Sequence, residues 1–173
     1  NALADAGYAL PEARGTLSVD TASMRSSEKL GLGSSAAACV ALTRSLLCGV
    51  APNTSTGTIA DIALAAHRTF QGNVGSGSDV LAAAWGGLSL VRSGERERAL
   101  LVPRRLSWAA IACDRAADTR AMVRGIGAWR ERDSDRAGLL LGALADTAQR
   151  GANALVDSDV SAWLEAVGLY AEI

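Results

Sequence analysis

Residues 31–36 have the composition of a loop that binds an anion at the start of a helix. The stretch runs Gly-Leu-Gly-Ser-Ser-Ala and leads into an apolar segment. Glycines let the backbone approach a ligand closely, and the first turn of a helix offers unpaired N–H groups at the positive end of its dipole. Serine hydroxyls can hydrogen-bond phosphate oxygens or ligate Mg²⁺, and Lys29 adds a positive charge. The segment indicates phosphate binding, with a plain helix N-cap after a tight turn as the alternative.

Two better-known phosphate loops fit this segment poorly. A Walker loop requires GxxxxGK[ST], which the sequence lacks. Residues 31–36 match G-x-G-x-x-A, but a dinucleotide-binding fold places an apolar strand before the glycines and an acid about 20 residues after them. The polar residues 25–29 precede the glycines here, and residues 51–57 contain no acid. The pattern therefore disfavours a dinucleotide fold.

A second glycine-rich turn precedes the other candidate chemical group. Gly72, Gly75 and Gly77 lead to Asp79 and to a short apolar run. A carboxylate near a helix N-terminus is favoured in its ionised form and could orient or deprotonate an acceptor hydroxyl. Asp79 could equally be an N-cap.

Composition excludes several classes of protein. The chain has 173 residues, 49% hydrophobic and 20% charged, with a net charge of −1, as in a globular domain without an extended surface for nucleic acid or anionic membranes. It contains no apolar run of membrane-spanning length. His67 is the single histidine, which excludes a multi-histidine metal site in this sequence. Cys39, Cys48 and Cys113 form no CxxC pair, so we expect buried, reduced thiols and a cytoplasmic protein.

The elements that position these groups follow from hydrophobic spacing. Residues 15–21 predict a strand, and a helix is predicted from Ser34 to about Leu47. A second helix is predicted after a cap at Thr54 or Ser55. The apolar residues of that second helix lie on one face, which consists of Ile59, Ile62, Ala66 and Phe70. A short helix over 79–85 is predicted to end at Gly86 and Gly87.

The second half of the sequence predicts strands first and helices afterwards. The predicted strands cover 88–93, 99–103 and 108–114, and the predicted helices cover 118–129, 135–155 and 159–173, the last capped by Asp157 or Ser158. The order of the elements indicates an α+β fold in two layers. Pro103, Arg104 and Arg105 are the best candidate domain boundary, which gives domains 1–105 and 106–173.

Two of these stretches resemble motifs of one enzyme family. Residues 31–37, GLGSSAA, resemble the second motif of the GHMP kinases (galactokinase, homoserine kinase, mevalonate kinase and phosphomevalonate kinase), whose loop and following helix hold the phosphates of ATP. Residues 66–87 resemble the family segment that carries the catalytic aspartate. Ser27 stands where the family usually has proline, and a lysine at position 29 is more similar to the phosphomevalonate kinase branch.

The resemblance implies a fold as well as an activity. It implies a two-layer α+β GHMP-kinase-like architecture, with a ribosomal protein S5 domain 2-like N-terminal part and a ferredoxin-like C-terminal part. Residues 1–105 would be the ATP-binding domain, and residues 117–123 resemble the opening of the second domain. The first motif, with its catalytic lysine, and the glycine-rich third motif do not occur in the sequence, so we expect an architecture incomplete at both ends.

The resemblance also implies roles for individual residues. Asp79 and Lys29 would be catalytic, Ser35 would ligate Mg²⁺, and His67 occupies roughly the place of a magnesium-binding glutamate in mevalonate kinases. The ATP phosphates would be bound by Gly31, Leu32, Gly33, Ser34, Ser35 and Ala36. Contacts to the acceptor would come from Arg68, Asn73, Ser76 and Arg120.

The activity implied is transfer of the γ-phosphoryl of ATP, with Mg²⁺, to the small molecule phosphomevalonate in the mevalonate pathway of isoprenoid synthesis. One alternative is mevalonate kinase or another GHMP kinase whose acceptor is a hydroxyl, in which Asp79 would act as base. Another is a nucleotide- or sugar-binding sensor without turnover, since a fold does not fix a function. A third is an α+β domain whose glycine loops are only turns. No nucleic-acid or membrane partner is expected, and a homodimer is left open.

Overall fold

The chain forms two compact units, which we describe separately. The computed structural model describes residues 2–9, 16, 18–20, 22, 32–73, 75–92, 98–109 and 119–173. The first unit comprises Asn1–Arg98 with Ile111–Ala117, and the second comprises Ala99–Ala110 with Asp118–Ile173. The domain boundary at residues 103–105 stays a prediction.

Helices make up most of the described part of the first unit. They are α1 (Ala2–Asp5), α2 (Ser34–Val50), α3 (Thr56–Gln71) and α4 (Ser78–Trp85). The three longer ones confirm the helices predicted from hydrophobic spacing. Ser55 caps α3 as predicted, because its hydroxyl accepts a hydrogen bond from Thr58 N–H at 3.1 Å. Gly86 is the C-cap of α4, and its φ of 66° favours glycine.

The core of this unit lies where α2, α3 and α4 pack against one another. Its buried side chains are Leu3, Ala36, Val40, Leu47, Ile59, Ile62, Ala63 and Val80. The prediction that Phe70 shares this face is wrong, because the side chain is 77% exposed. The buried face of α3 ends one turn earlier, at His67.

The described strands are short. They are β1 (Leu88–Leu90) and β2 (Arg98–Leu100), which pair in a two-stranded sheet and confirm the starts of two predicted strands. Thr16 and the residues 18–20 are exposed and lie in no strand, so the strand predicted over 15–21 is wrong at these positions, where no described strand pairs with them. Trp108 and Ala109 also lie outside any strand, and residues 110–114 of that prediction fall outside the described residues.

Three helices dominate the second unit, as predicted. They are α5 (Thr119–Arg132), α6 (Ser134–Val156) and α7 (Val160–Glu172). Gly151 brings α6 close to α7, since a Cβ at this glycine would lie 3.4 Å from Ala166 Cβ. Trp108 packs edge-on against Trp163, with ring centroids 5.4 Å apart.

The cap of α7 differs from the prediction. Asp159, rather than Asp157 or Ser158, accepts a hydrogen bond from Ala162 N–H at 3.0 Å. Asp157 is the C-cap of α6, and Ser158 has a φ of 59° that reverses the chain between the helices. Asp157 and Ser158 therefore belong to the turn between α6 and α7 and do not cap α7. Among the described residues, no helix is long and apolar enough to cross a bilayer.

Leu64 of α3 occupies the space beside Gly77, the N-cap of α4. The φ of Gly77 is 79°, and a Cβ at this position would overlap Leu64 Cδ1. We expect Gly77→Ala to lower the free energy of unfolding by about 1.5 to 3.5 kcal/mol, from about 1–2 for a left-handed alanine and about 0.5–1.5 for displacing the end of the Leu64 side chain. Urea denaturation measures the change.

Gly72→Ala is the matched control. Gly72 has a φ of 75° but open space around the Cβ position, so only the backbone cost of about 1–2 kcal/mol should appear. Equal losses in the two variants would contradict the proposed overlap. The double variant Gly77→Ala/Leu64→Ala should lose less free energy of unfolding than the sum of the losses in the two single variants.

Candidate functional site

The N-terminus of α2 begins at a glycine in the left-handed conformation. Gly33 is the N-cap, with φ 73° and ψ 27°, and has no side chain with which to cap the helix. The first hydrogen bond runs from Ala37 N–H to Gly33 O at 2.9 Å, so the amides of Ser34, Ser35 and Ala36 come before it. Among the described groups, none accepts a hydrogen bond from these three amides. Ser34 is half-buried and Ser35 exposed, so their amides form an electropositive end that an anion can reach, whereas Ala36 is buried.

Other helices in the chain cap the same positions with side chains. Ser55 caps α3, Asp133 caps α6 and Asp159 caps α7, each by accepting a hydrogen bond from a first-turn amide. At α2 and α4 the N-caps are Gly33 and Gly77 instead. Each of the two predicted glycine loops is therefore followed by a helix whose N-cap residue has no side chain that could cap it.

Asp79 lies in the first turn of α4, near the helix N-terminus as predicted. The side chain is exposed, and Oδ1 accepts a hydrogen bond from Val80 N–H at 2.9 Å. The preceding Ser78 N–H donates to Ser76 Oγ at 3.3 Å. These contacts hold the carboxylate at the helix end and leave it accessible to solvent.

The two helix ends lie side by side. A Cβ built on Gly33 would lie 3.8 Å from Asp79 Cβ, which is ordinary van der Waals contact. The structure thus brings the first glycine loop and Asp79 together, although Asp79 lies 46 positions after Gly33 along the chain. An anion on the α2 amides would lie on the same side of the unit as this carboxylate.

The second glycine loop connects α3 with α4 by a run of left-handed residues. The φ values are 75° at Gly72, 61° at Asn73, 109° at Gly75 and 79° at Gly77. Arg68 Nη2 donates to Ser76 O across the loop at 3.3 Å. Arg68, Asn73 and Ser76 are all exposed and line the turn that leads to Asp79.

The remaining predicted site residues divide into two groups. Leu32 lies just before Gly33 and is 70% exposed, whereas Lys29 and Gly31 fall outside the described residues. Arg120 belongs to α5 in the second unit, and its part in an acceptor site stays a prediction.

His67 makes a contact that sequence reasoning missed. The imidazole is 3% exposed, and Nε2 lies 3.4 Å from Ser35 Oγ and 3.4 Å from Gln71 Nε2. The spacing of four residues between His67 and Gln71 on α3 could have indicated their contact. Nothing in the local pattern relates His67 to Ser35, which lies 32 residues earlier on α2.

Cys39 lies one helical turn beyond Ser35 and contacts α3. Its Sγ donates to Ala63 O at 3.4 Å. Burial raises the pKa of the Cys39 thiol, and a hydrogen bond with Thr43 lowers that pKa by a smaller amount. The thiol therefore stays protonated at neutral pH and is a poor nucleophile. Cys48 is exposed, which corrects the expectation that the cysteines are buried, and Cys113 lies outside the described residues.

A comparison with protein families finds a match to the part of the chain that contains these residues. Residues 9–87 match the family model described as GHMP kinases N terminal domain. The matched range contains the Gly33 loop, His67, Asp79 and the glycine pair after α4. No curated protein and no solved structure matches the chain. The match supports the GHMP kinase family, and with it the descriptions kinase, transferase and ATP-binding.

Burial of Cys39 predicts an order of thiol reactivity. We expect iodoacetamide to modify the exposed Cys48 several times faster than Cys39 in the native protein, with each site followed by peptide mass spectrometry. Because the pKa of Cys39 is raised, its rate should increase at a higher pH than the rate of N-acetylcysteine. Faster alkylation of Cys39 than of Cys48 would contradict the packing of α2 on α3.

Proposed function

We propose that this chain is a small-molecule kinase of the GHMP group that transfers the γ-phosphoryl of ATP to phosphomevalonate. One observation carries the proposal: the open N-terminus of α2 lies against the first turn of α4, which bears Asp79. Phosphoryl transfer asks a protein mainly to position two substrates and to stabilise charge. A positive helix end beside an exposed carboxylate meets both requirements.

The nucleotide's phosphates would bind at the start of α2. The amides of Ser34 and Ser35 would be the donors, and the dipole of the 17-residue helix adds a favourable field. The left-handed Gly33 lets the backbone approach the phosphates without a Cβ in the way. Lys29 would add a cation before the loop.

Magnesium fits the oxygen donors available at this site. Among the described residues there is no cluster of three or more His, Cys, Asp or Glu side chains suited to a metal. Magnesium commonly uses only one or two protein oxygens, with phosphates and waters completing its shell. Ser35 Oγ is such an oxygen. When bound, the ion would neutralise charge on the phosphate chain.

Asp79 would act on the acceptor. With a hydroxyl acceptor the carboxylate would take the proton as the oxygen attacks the γ-phosphorus. With phosphomevalonate the attacking group is a phosphate oxygen that is already ionised at neutral pH, so Asp79 would orient the acceptor and the neighbouring cations. The exposed position of Asp79 leaves room for either acceptor.

The anionic acceptor would be held on the second glycine loop. Arg68 uses Nη2 for Ser76 O, and its planar guanidinium has other donors for a phosphate or a carboxylate. Asn73 and Ser76 lie on the same loop and add neutral donors. This loop and Lys29 support phosphomevalonate over mevalonate as the acceptor.

Nucleotide binding predicts a shift in thermal stability. We expect MgATP at about 100 times its Kd to add about 2.7 kcal/mol, which raises the Tm by about 5 to 10 °C. Gly33→Val should abolish the shift, because a β-branched residue is strained at φ 73° and adds bulk where phosphate approaches. Differential scanning fluorimetry with and without MgATP measures both.

Gly7→Val is the matched control for that variant. Gly7 has a similar φ of 82° with open space around it, and it lies outside the proposed site. The variant should lose stability but keep the full MgATP shift. A Gly33→Val protein that kept its shift would show that nucleotide binds elsewhere.

The role of Asp79 predicts a selective loss of turnover. Asp79→Asn should keep MgATP binding and lower kcat about 10²- to 10⁴-fold if Asp79 is the base. Asp135→Asn is the control, because Ser134 and Asp135 occupy the same first two positions of α6 as Ser78 and Asp79 do of α4. The assay follows transfer to phosphomevalonate, mevalonate, homoserine and galactose. Unchanged turnover in Asp79→Asn would remove it from catalysis.

A further inference from the structure

His67 places a hydrogen-bond acceptor against the hydroxyl of Ser35. The imidazole lies in the last turn of α3, is 3% exposed, and brings Nε2 to 3.4 Å from Ser35 Oγ. Ser35 is the second residue of α2, so its oxygen belongs to the helix end that would face the phosphates. The contact therefore joins a buried side chain of one helix to the proposed binding surface of another.

The neighbours of Nε2 determine the direction of this hydrogen bond. Gln71 presents its amide nitrogen to the same Nε2 at 3.4 Å, and an amide nitrogen can only donate. With the Gln71 amide in this orientation and His67 protonated at Nδ1, Nε2 can accept from Gln71 and from Ser35 through its one lone pair. The Ser35 hydroxyl is then the donor to His67.

We propose that His67 is a positioning residue that fixes the Ser35 hydroxyl as an oxygen ligand for the divalent cation that accompanies the nucleotide. A serine hydroxyl has one proton and two lone pairs, so a proton directed at His67 leaves the lone pairs for another partner. A cation requires lone pairs, whereas a phosphate oxygen would require the proton. The inference rests on the proposed function. It favours ligation of Mg²⁺ by the Ser35 hydroxyl over a hydrogen bond from that hydroxyl to a phosphate oxygen.

The proposal also accounts for a buried histidine beside a site for an oxygen-seeking ion. Magnesium prefers oxygen ligands, so His67 would be a poor direct ligand. A ring nitrogen that acts through a serine hydroxyl avoids this mismatch. Residues that orient a metal ligand typically contribute about 10- to 100-fold to metal affinity, which is the size of effect to expect here.

Binding measurements on full-chain variants test the proposal without any need for turnover. The ratio of ATP affinity with Mg²⁺ to ATP affinity in EDTA isolates the contribution of the cation. His67→Gln can place an amide oxygen near the position of Nε2, whereas the shorter Asn reaches only the region of Nδ1. We expect His67→Asn to lower the ratio about tenfold or more, and His67→Gln to restore much of it.

Two further variants separate positioning from a general loosening of α2 on α3. Ser35→Ala should lower the ratio as much as His67→Asn, and the double variant should lower it no further, because both changes remove one interaction. Cys39→Ala removes another polar contact between the same helices, from Cys39 Sγ to Ala63 O, and should leave the ratio unchanged. ATP affinity in EDTA should be the same in all of these proteins.

The outcomes distinguish this proposal from the proposed function. If the unmodified protein binds ATP neither with Mg²⁺ nor in EDTA, the kinase proposal fails, and this one fails with it. If that protein binds MgATP but His67→Asn keeps the full ratio, only the positioning role is overturned. Equal losses in His67→Asn and His67→Gln, or a loss in Cys39→Ala, would also overturn it, since each indicates a packing effect.

Discussion

The first turns of α2 and α4 meet, and each of these helices begins at a glycine in the left-handed conformation. Gly33 has a φ of 73° and Gly77 a φ of 79°, values that other residues adopt only at a cost. Leu64 of α3 occupies the space that a side chain at Gly77 would need. A Cβ built on Gly33 would lie 3.8 Å from Asp79 Cβ, so the two helix starts are in contact.

The starts of α2 and α4 carry opposite charges, which determine what this site can bind. The accessible amides of Ser34 and Ser35 attract an anion, while Asp79, whose Cβ is 3.8 Å from a Cβ built on Gly33, adds a negative charge that suits a cation or a proton donor. Neither feature alone distinguishes a binding site from an ordinary helix end. Their adjacency within one compact unit, in the part of the chain that matches the GHMP kinase domain, is what supports phosphoryl transfer.

The sequence predicted this site better than it predicted the surroundings. Helices α2 to α7 follow from apolar spacing and from caps such as Ser55, and the glycine turns follow from composition. The exposure of Phe70 could not be predicted, because helical periodicity gives the direction of a side chain but not where the neighbouring helices end. The cap at Asp159 was missed since three consecutive capping residues compete there. The contact between His67 and Ser35 joins positions 32 residues apart and exists only in the folded packing of α2 on α3.

Amide chemical shifts of ¹⁵N-labelled full chain, recorded during titration with MgATP, test the central claim most directly. If phosphates bind at the start of α2 opposite Asp79, the largest shifts should occur at Gly33, Ser34, Ser35, Ala36 and Asp79. The amides of the α6 and α7 interior should change little. Saturable binding that shifts other amides and leaves residues 33–36 unperturbed would contradict the account.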